Sequence, residues 1–136
     1  MTDIPEIEAK SFHRVLADHA RAQPENIFVH SVDQDKSLTY RALYALSNRF
    51  AHFLEERGFD ANDRVLLLAE NSVEFLAVFA ATLRYGATIA TVHVEMNHAH
   101  LAEIVAAIAP KIVLYQEGLG LEAALAGNSS PRFRLG

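Results

Sequence analysis

The chain has 136 residues, 51% of them apolar, with 12 basic and 17 acidic side chains and a formal charge of −5. That balance excludes a disordered chain, and it predicts no nucleic-acid partner, whose footprint would be a basic stripe; the only local basic cluster is Arg132 and Arg134. The lack of cysteine excludes a disulfide framework, a thiolate zinc site and a cysteine nucleophile, and there is no run of about 20 apolar residues to span a membrane.

No repeat or low-complexity segment interrupts the chain. Residues 1–10 carry Asp3, Glu6 and Glu8 and no apolar run, which predicts a flexible lead-in and not a signal peptide. Ser11 stands as an N-cap before Phe12, Val15, Leu16 and His19, spaced along one helical face, and Pro24 stops that helix. Residues 27–32 read as a strand, 33–36 as a polar turn and 37–39 as the return of a hairpin. Asp33 and Asp35 favour the turn; an acid–base pair is the weaker reading. Thr39 caps a second helix, apolar at Leu43, Leu46, Phe50, Phe53 and Leu54 and ended by Gly58. Tyr40 and Tyr44 should cover the core edge, and Glu55-Glu56-Arg57 reads as a solvated helix end.

The pattern then becomes strand and helix in turn. Val65-Leu66-Leu67-Leu68 is a continuous apolar run, as in a strand covered on both faces. Asn71, with Glu74 three residues on, marks a helix start. The helix over 72–85 is apolar nearly all round, so it is buried on several sides, and Gly86 ends it. Residues 88–92 form a second β-branched run. Asn97 opens a helix with Leu101, Ile104, Val105 and Ile108 on one face, closed by Pro110, and residues 112–115 form a third strand. This alternation predicts two right-handed crossovers and the α/β class. The architecture expected is a partial doubly wound parallel sheet with flanking helices and an N-terminal β-hairpin, over residues 11–126. Residues 127–136, with Gly127-Asn128-Ser129-Ser130-Pro131, read as a loop tail. The high apolar share also predicts surface that belongs against a partner, and a homo-oligomer is one way to cover it.

Several segments invite a chemical reading. Gly118-Leu119-Gly120-Leu121-Glu122-Ala123 matches a dinucleotide fingerprint and follows a strand, which would make a small nucleotide-binding module. It follows the third parallel strand and not the first, and the helix after it is short, so an ordinary strand-to-helix turn is the preferred reading. His93, His98 and His100 are close in sequence; two apart on a helix point to different faces, and surface histidines are preferred over a metal site. The loop over 93–98 follows the carboxyl end of a parallel strand, where ligands of open α/β sheets bind. Ser129-Ser130 lacks the glycines and lysine of a phosphate loop.

Five segments in order carry a family resemblance. Leu38-Thr39-Tyr40-Arg41-Ala42-Leu43, Asn48-Arg49 with Ala51 and Leu54, Asp63-Arg64-Val65, Asn71 to Phe75 and Ala81 to Ala87 resemble the opening of adenylate-forming enzymes. These are the acyl-CoA synthetases, peptide-synthetase adenylation domains and luciferases. Ala42 replaces the usual Glu, and Thr91 and His93 stand where the family often has Pro and then Asn or Asp. The resemblance implies the first part of a large N-terminal domain, in the acid–CoA ligase branch, with the peptide-synthetase branch second. It implies carboxylic acid, ATP, Mg2+ and CoA for a longer parent, the rest of that parent as partner, a place in fatty acid metabolism, and a cytoplasmic location. The family's phosphate loop, magnesium-binding Glu, ribose-binding Asp and catalytic Lys lie outside the matched segments, so no catalytic, cofactor-binding or metal-binding residue is assigned. The expected stretch is inert alone; a stand-alone scaffold derived from a ligase is the further alternative.

Overall fold

The structure, a computed structural model, describes residues 11–135, and the lead-in expected over 1–10 lies outside the described residues. Helix α1, Phe12–Ala22, begins where the Ser11 hydroxyl accepts the Arg14 N–H at 3.2 Å. Strands β1, Ile27–Ser31, and β2, Lys36–Thr39, pair antiparallel. The Asp35 N–H donates to the Val32 carbonyl at 3.3 Å, and Asp35 itself takes a left-handed φ of 47° that Asp tolerates better than most residues. Helix α2, Tyr40–Glu56, follows directly, its first free N–H groups met by Thr39 Oγ1, which accepts from Ala42 at 3.1 Å.

The remaining strands, β3 Arg64–Leu68, β4 Thr88–Thr91, β5 Ile112–Tyr115 and β6 Arg132–Arg134, form one parallel sheet in the order β4-β3-β5-β6. Helices α3, Val73–Tyr85, and α4, His98–Ile108, make the two crossovers, and α5, Glu122–Leu125, connects β5 to β6. Alternation along β3 divides the core. Val65 and Leu67 face α2 and α3 with Leu54, Phe59, Ile112 and Leu114. Leu66 and Leu68 face α4 and α5 with Leu101, Val105, Val113 and Leu125. Crossovers of one hand running in opposite directions from the sheet centre must put their helices on opposite faces, as found. A third cluster, Leu16, Leu38, Leu43, Val73, Ala77 and Ala80, joins α1 and the hairpin to α2 and α3.

Two expectations need correction. The third helix is capped by Ser72, whose hydroxyl accepts the Phe75 N–H at 3.0 Å, and not by Asn71; a hydroxyl one residue nearer the helix wins the same local competition for the free N–H groups. In place of an all-loop tail, Arg132–Arg134 add a fourth parallel strand, with Leu114 beside Phe133. The basic pair at the end is committed internally: Arg132 Nη2 donates to the Leu125 carbonyl at 2.5 Å, and Arg134 Nη1 to Glu117 Oε1 at 2.8 Å. Among the described residues, no helix is long and apolar enough to cross a membrane.

Candidate functional site

The sheet reverses its order of connection between β3 and β5. β3 leads through α3 to one side, and β5 leads through α5 to the other. The carboxyl ends of these two strands therefore open into a crevice, the place where open α/β sheets take ligands. Gln116, just past β5, holds it together. Its N–H donates to the Leu68 carbonyl at 2.9 Å, and its Oε1 accepts the Glu70 N–H at 3.0 Å.

The hairpin turn forms the opposite wall. Gln34 Oε1 accepts the Val73 N–H at 2.9 Å, and Gln34 Nε2 donates to Glu74 Oε2 at 2.8 Å, so a turn residue caps a helix 39 positions away. Lys36 closes on the other oxygen of Glu74. The Gln34 hydrogen bond, then that of Lys36, hold the Glu74 carboxyl down at about 2, against an ordinary 4.5. Gln34 and Glu74 line a polar cavity of about 330 Å3, together with Asp33, Glu70, Asn71 and Gln116. A neighbouring cavity of about 400 Å3 shares Glu70 and Asn71 and extends past β4 to Thr91, His93 and Glu95.

Asp33, Glu70 and Glu95 leave the crevice net negative, the charge of Glu74 being met by Lys36 behind it, and neither cavity is lined by an arginine or lysine. Such a surface repels the phosphates of a nucleotide. Among the described residues no three of His, Cys, Asp and Glu stand close enough together to hold a metal on protein ligands alone.

The segments singled out in the sequence fall into place as structure. Gly118 and Gly120 have φ of 85° and 66°, so they serve the left-handed turn; a Cβ on Gly118 would meet nothing, and one on Gly120 only His98 Cε1 at 3.9 Å. The helix that follows has four residues and carries Glu122 in its first turn, a poor seat for pyrophosphate. His93, His98 and His100 are all exposed and are not brought together; His100 Nδ1 lies 3.7 Å from Glu103. Ser130 Oγ donates to the Pro110 carbonyl at 2.6 Å. Asp63 explains its own segment: it accepts the Asp60 N–H at 2.7 Å and Lys111 Nζ at 3.0 Å, which together lower its carboxyl below the ordinary range. Gln34 and Gln116 were missed, because each acts on a partner about 40 or more positions away and no local pattern announces such a bond.

The fold and these scaffold residues define a class. Residues 16–132 match the model of the AMP-binding enzyme family, and the chain belongs to that family. It is similar to a hybrid PKS-NRPS synthetase, TAS1, of Gloeophyllum trabeum, 29% identical over 86% of this chain and 8% of that protein. It is 36% identical to the 3-hydroxybenzoate–CoA/4-hydroxybenzoate–CoA ligase of Thauera aromatica, over 60% of this chain and 13% of that one. The luciferase-like enzyme of the nonluminescent mealworm Zophobas morio has the same fold, with a TM-score of 0.85 at 22% identity, over 98% of this chain and 32% of that enzyme. The chain thus spans a small part of its curated relatives and about a third of that solved structure.

Proposed function

We propose that the chain is the N-terminal platform of an AMP-forming acid–CoA ligase. Such an enzyme joins a carboxylic acid to ATP, releasing pyrophosphate, and passes the acyl group from AMP to the thiol of CoA. One observation carries the reading for this stretch: the crevice at the switch point is lined by Asp33, Glu70, Glu74 and Glu95 and by no arginine or lysine. Departure of pyrophosphate needs cations and N–H donors aimed at the developing charge. The platform holds strands in register and leaves that charge to groups outside it, so it is inert alone. The test is a graft in which residues 16–132 replace the matching segment of the Thauera ligase. A folded graft should keep hydroxybenzoate-dependent ATP–pyrophosphate exchange with unchanged acid preference. A folded graft that has lost exchange would refute the reading.

A second reading rests on the similarity to the PKS-NRPS synthetase, which extends over more of this chain than the similarity to the CoA ligase. There the acyl acceptor would be the thiol of a carrier protein. Offering the complete parent enzyme CoA and a phosphopantetheinylated carrier side by side separates the two: thioester on CoA alone supports the ligase, and thioester on the carrier alone supports the synthetase.

A further inference from the structure

Helix α1 packs on α2 and α3, with Leu16 buried in the third core cluster. Among the described residues, one side-chain hydrogen bond ties it to either helix: Arg84 Nε donates to His13 Nδ1 at 2.7 Å. Arg84 is itself fixed. Its Nη1 donates to the Oγ of the buried Ser47 at 3.1 Å, and its guanidinium lies 4.9 Å from the Tyr44 ring centroid. A guanidinium has donors only and stays charged, so His13 Nδ1 must accept, which requires a neutral imidazole.

A proton on His13 would turn this bond into a contact between two cations. No carboxylate offsets it: neither His13 nor Arg84 has an ion-pair partner among the described residues. Helix α1 itself adds Arg14 beside His13, and its Asp18 lies 3.7 Å from Arg21. Helix α2 presents Tyr40, Tyr44 and Arg41, and Arg41 is held by Glu25 at 2.7 Å. Helix α3 presents Arg84; its one acid, Glu74, is tied to Gln34 and Lys36 at the far end. Other histidines are placed differently. His52 and His100 lie 3.9 and 3.7 Å from glutamates, which favour a proton. His19 and His30 meet a glutamine amide and a serine hydroxyl, groups that can donate or accept.

We infer that His13 and Arg84 form a pH-sensitive latch, which docks α1 on α2 and α3 while the imidazole is neutral and releases it in acid. The released imidazole binds a proton that the docked one excludes. Docking is therefore complete above the ordinary imidazole range, about 6.5, and weakens as pH falls through it. Release uncovers Leu38, Leu43 and Ala77, while the two clusters on the parallel sheet keep their packing. The latch is independent of the platform reading.

The test is amide hydrogen exchange of the 136-residue chain at pH 7.5 and 5.5, each rate corrected for its unfolded-peptide value. Protection of α1 should be about tenfold lower at pH 5.5, because a form that excludes a proton loses a factor of ten per pH unit below about 6.5. Amides of β3 should not change. His13→Gln, whose Oε1 can accept from Arg84 at either pH, should protect α1 equally at both values, and His19→Gln should keep the tenfold fall. Equal protection of α1 at both values in the unsubstituted chain overturns the inference. So does a fall that His13→Gln retains, one that His19→Gln abolishes, or one that β3 shares.

Discussion

Glu74 is the side chain whose surroundings matter most for the crevice. Its carboxylate is fixed by Gln34 and Lys36, and it ties the hairpin to the start of α3. A carboxyl lowered in the folded state stabilises that state fully above its unfolded value. The stabilisation disappears as pH falls from about 4.5 to about 2. Glu74→Gln should therefore cost about 2 kcal/mol at pH 7 and almost nothing at pH 2, read from urea midpoints at the two values. In the core the magnitudes are larger. Leu66 is fully buried between the sheet and α4, and Leu66→Ala should cost about 2–5 kcal/mol with the slope of the urea transition unchanged. Both side chains were visible in the sequence, Leu66 in a continuous apolar run and Glu74 beside a helix start. Only Leu66 announced its role there, because burial is periodic and local while the partners of Glu74 lie about 40 residues upstream.

At the scale of elements, helices and central strands were legible because their signals are local: caps at Ser11, Thr39 and Asn97, a left-handed Gly86 after α3, and the β3 apolar run. Strand β6 was not. It has three residues, two of them arginines, and only pairing with β5 makes it a strand. Its support also reaches back to a helix end that reads as solvated. The Arg57 guanidinium lies 3.6 Å from the Phe53 ring centroid and 4.7 Å from that of Phe133, and its Nη1 donates to the Phe53 carbonyl at 3.0 Å. Phe133→Ala removes the ring that joins β6 to α2. It should cost about 2 kcal/mol and speed exchange of the Leu135 amide, which donates to Tyr115 at 2.8 Å, while amides of β3 stay protected. Equal protection at Leu135 in both proteins would show that β6 holds without that contact.

At the scale of the whole molecule, the family was legible in the order of five scaffold segments, and the candidate site was legible only as a place. The topology puts a crevice beyond β3 and β5, but its walls come from glutamines with no motif of their own and from carboxylates on three separate loops. Those walls carry the sign of charge opposite to the one that ATP phosphates require. The glycine turn at 118 and 120 leads into a four-residue helix with an acid at its start. On the proposed reading, the handling of phosphate falls to groups outside this stretch. The most direct measurement is acid-dependent exchange of labelled pyrophosphate into ATP, with the purified 136-residue chain, Mg2+ and a panel of aliphatic and aromatic carboxylic acids. Exchange should be no faster than in buffer with every acid; acid-dependent exchange that follows the concentration of this chain would contradict the platform reading.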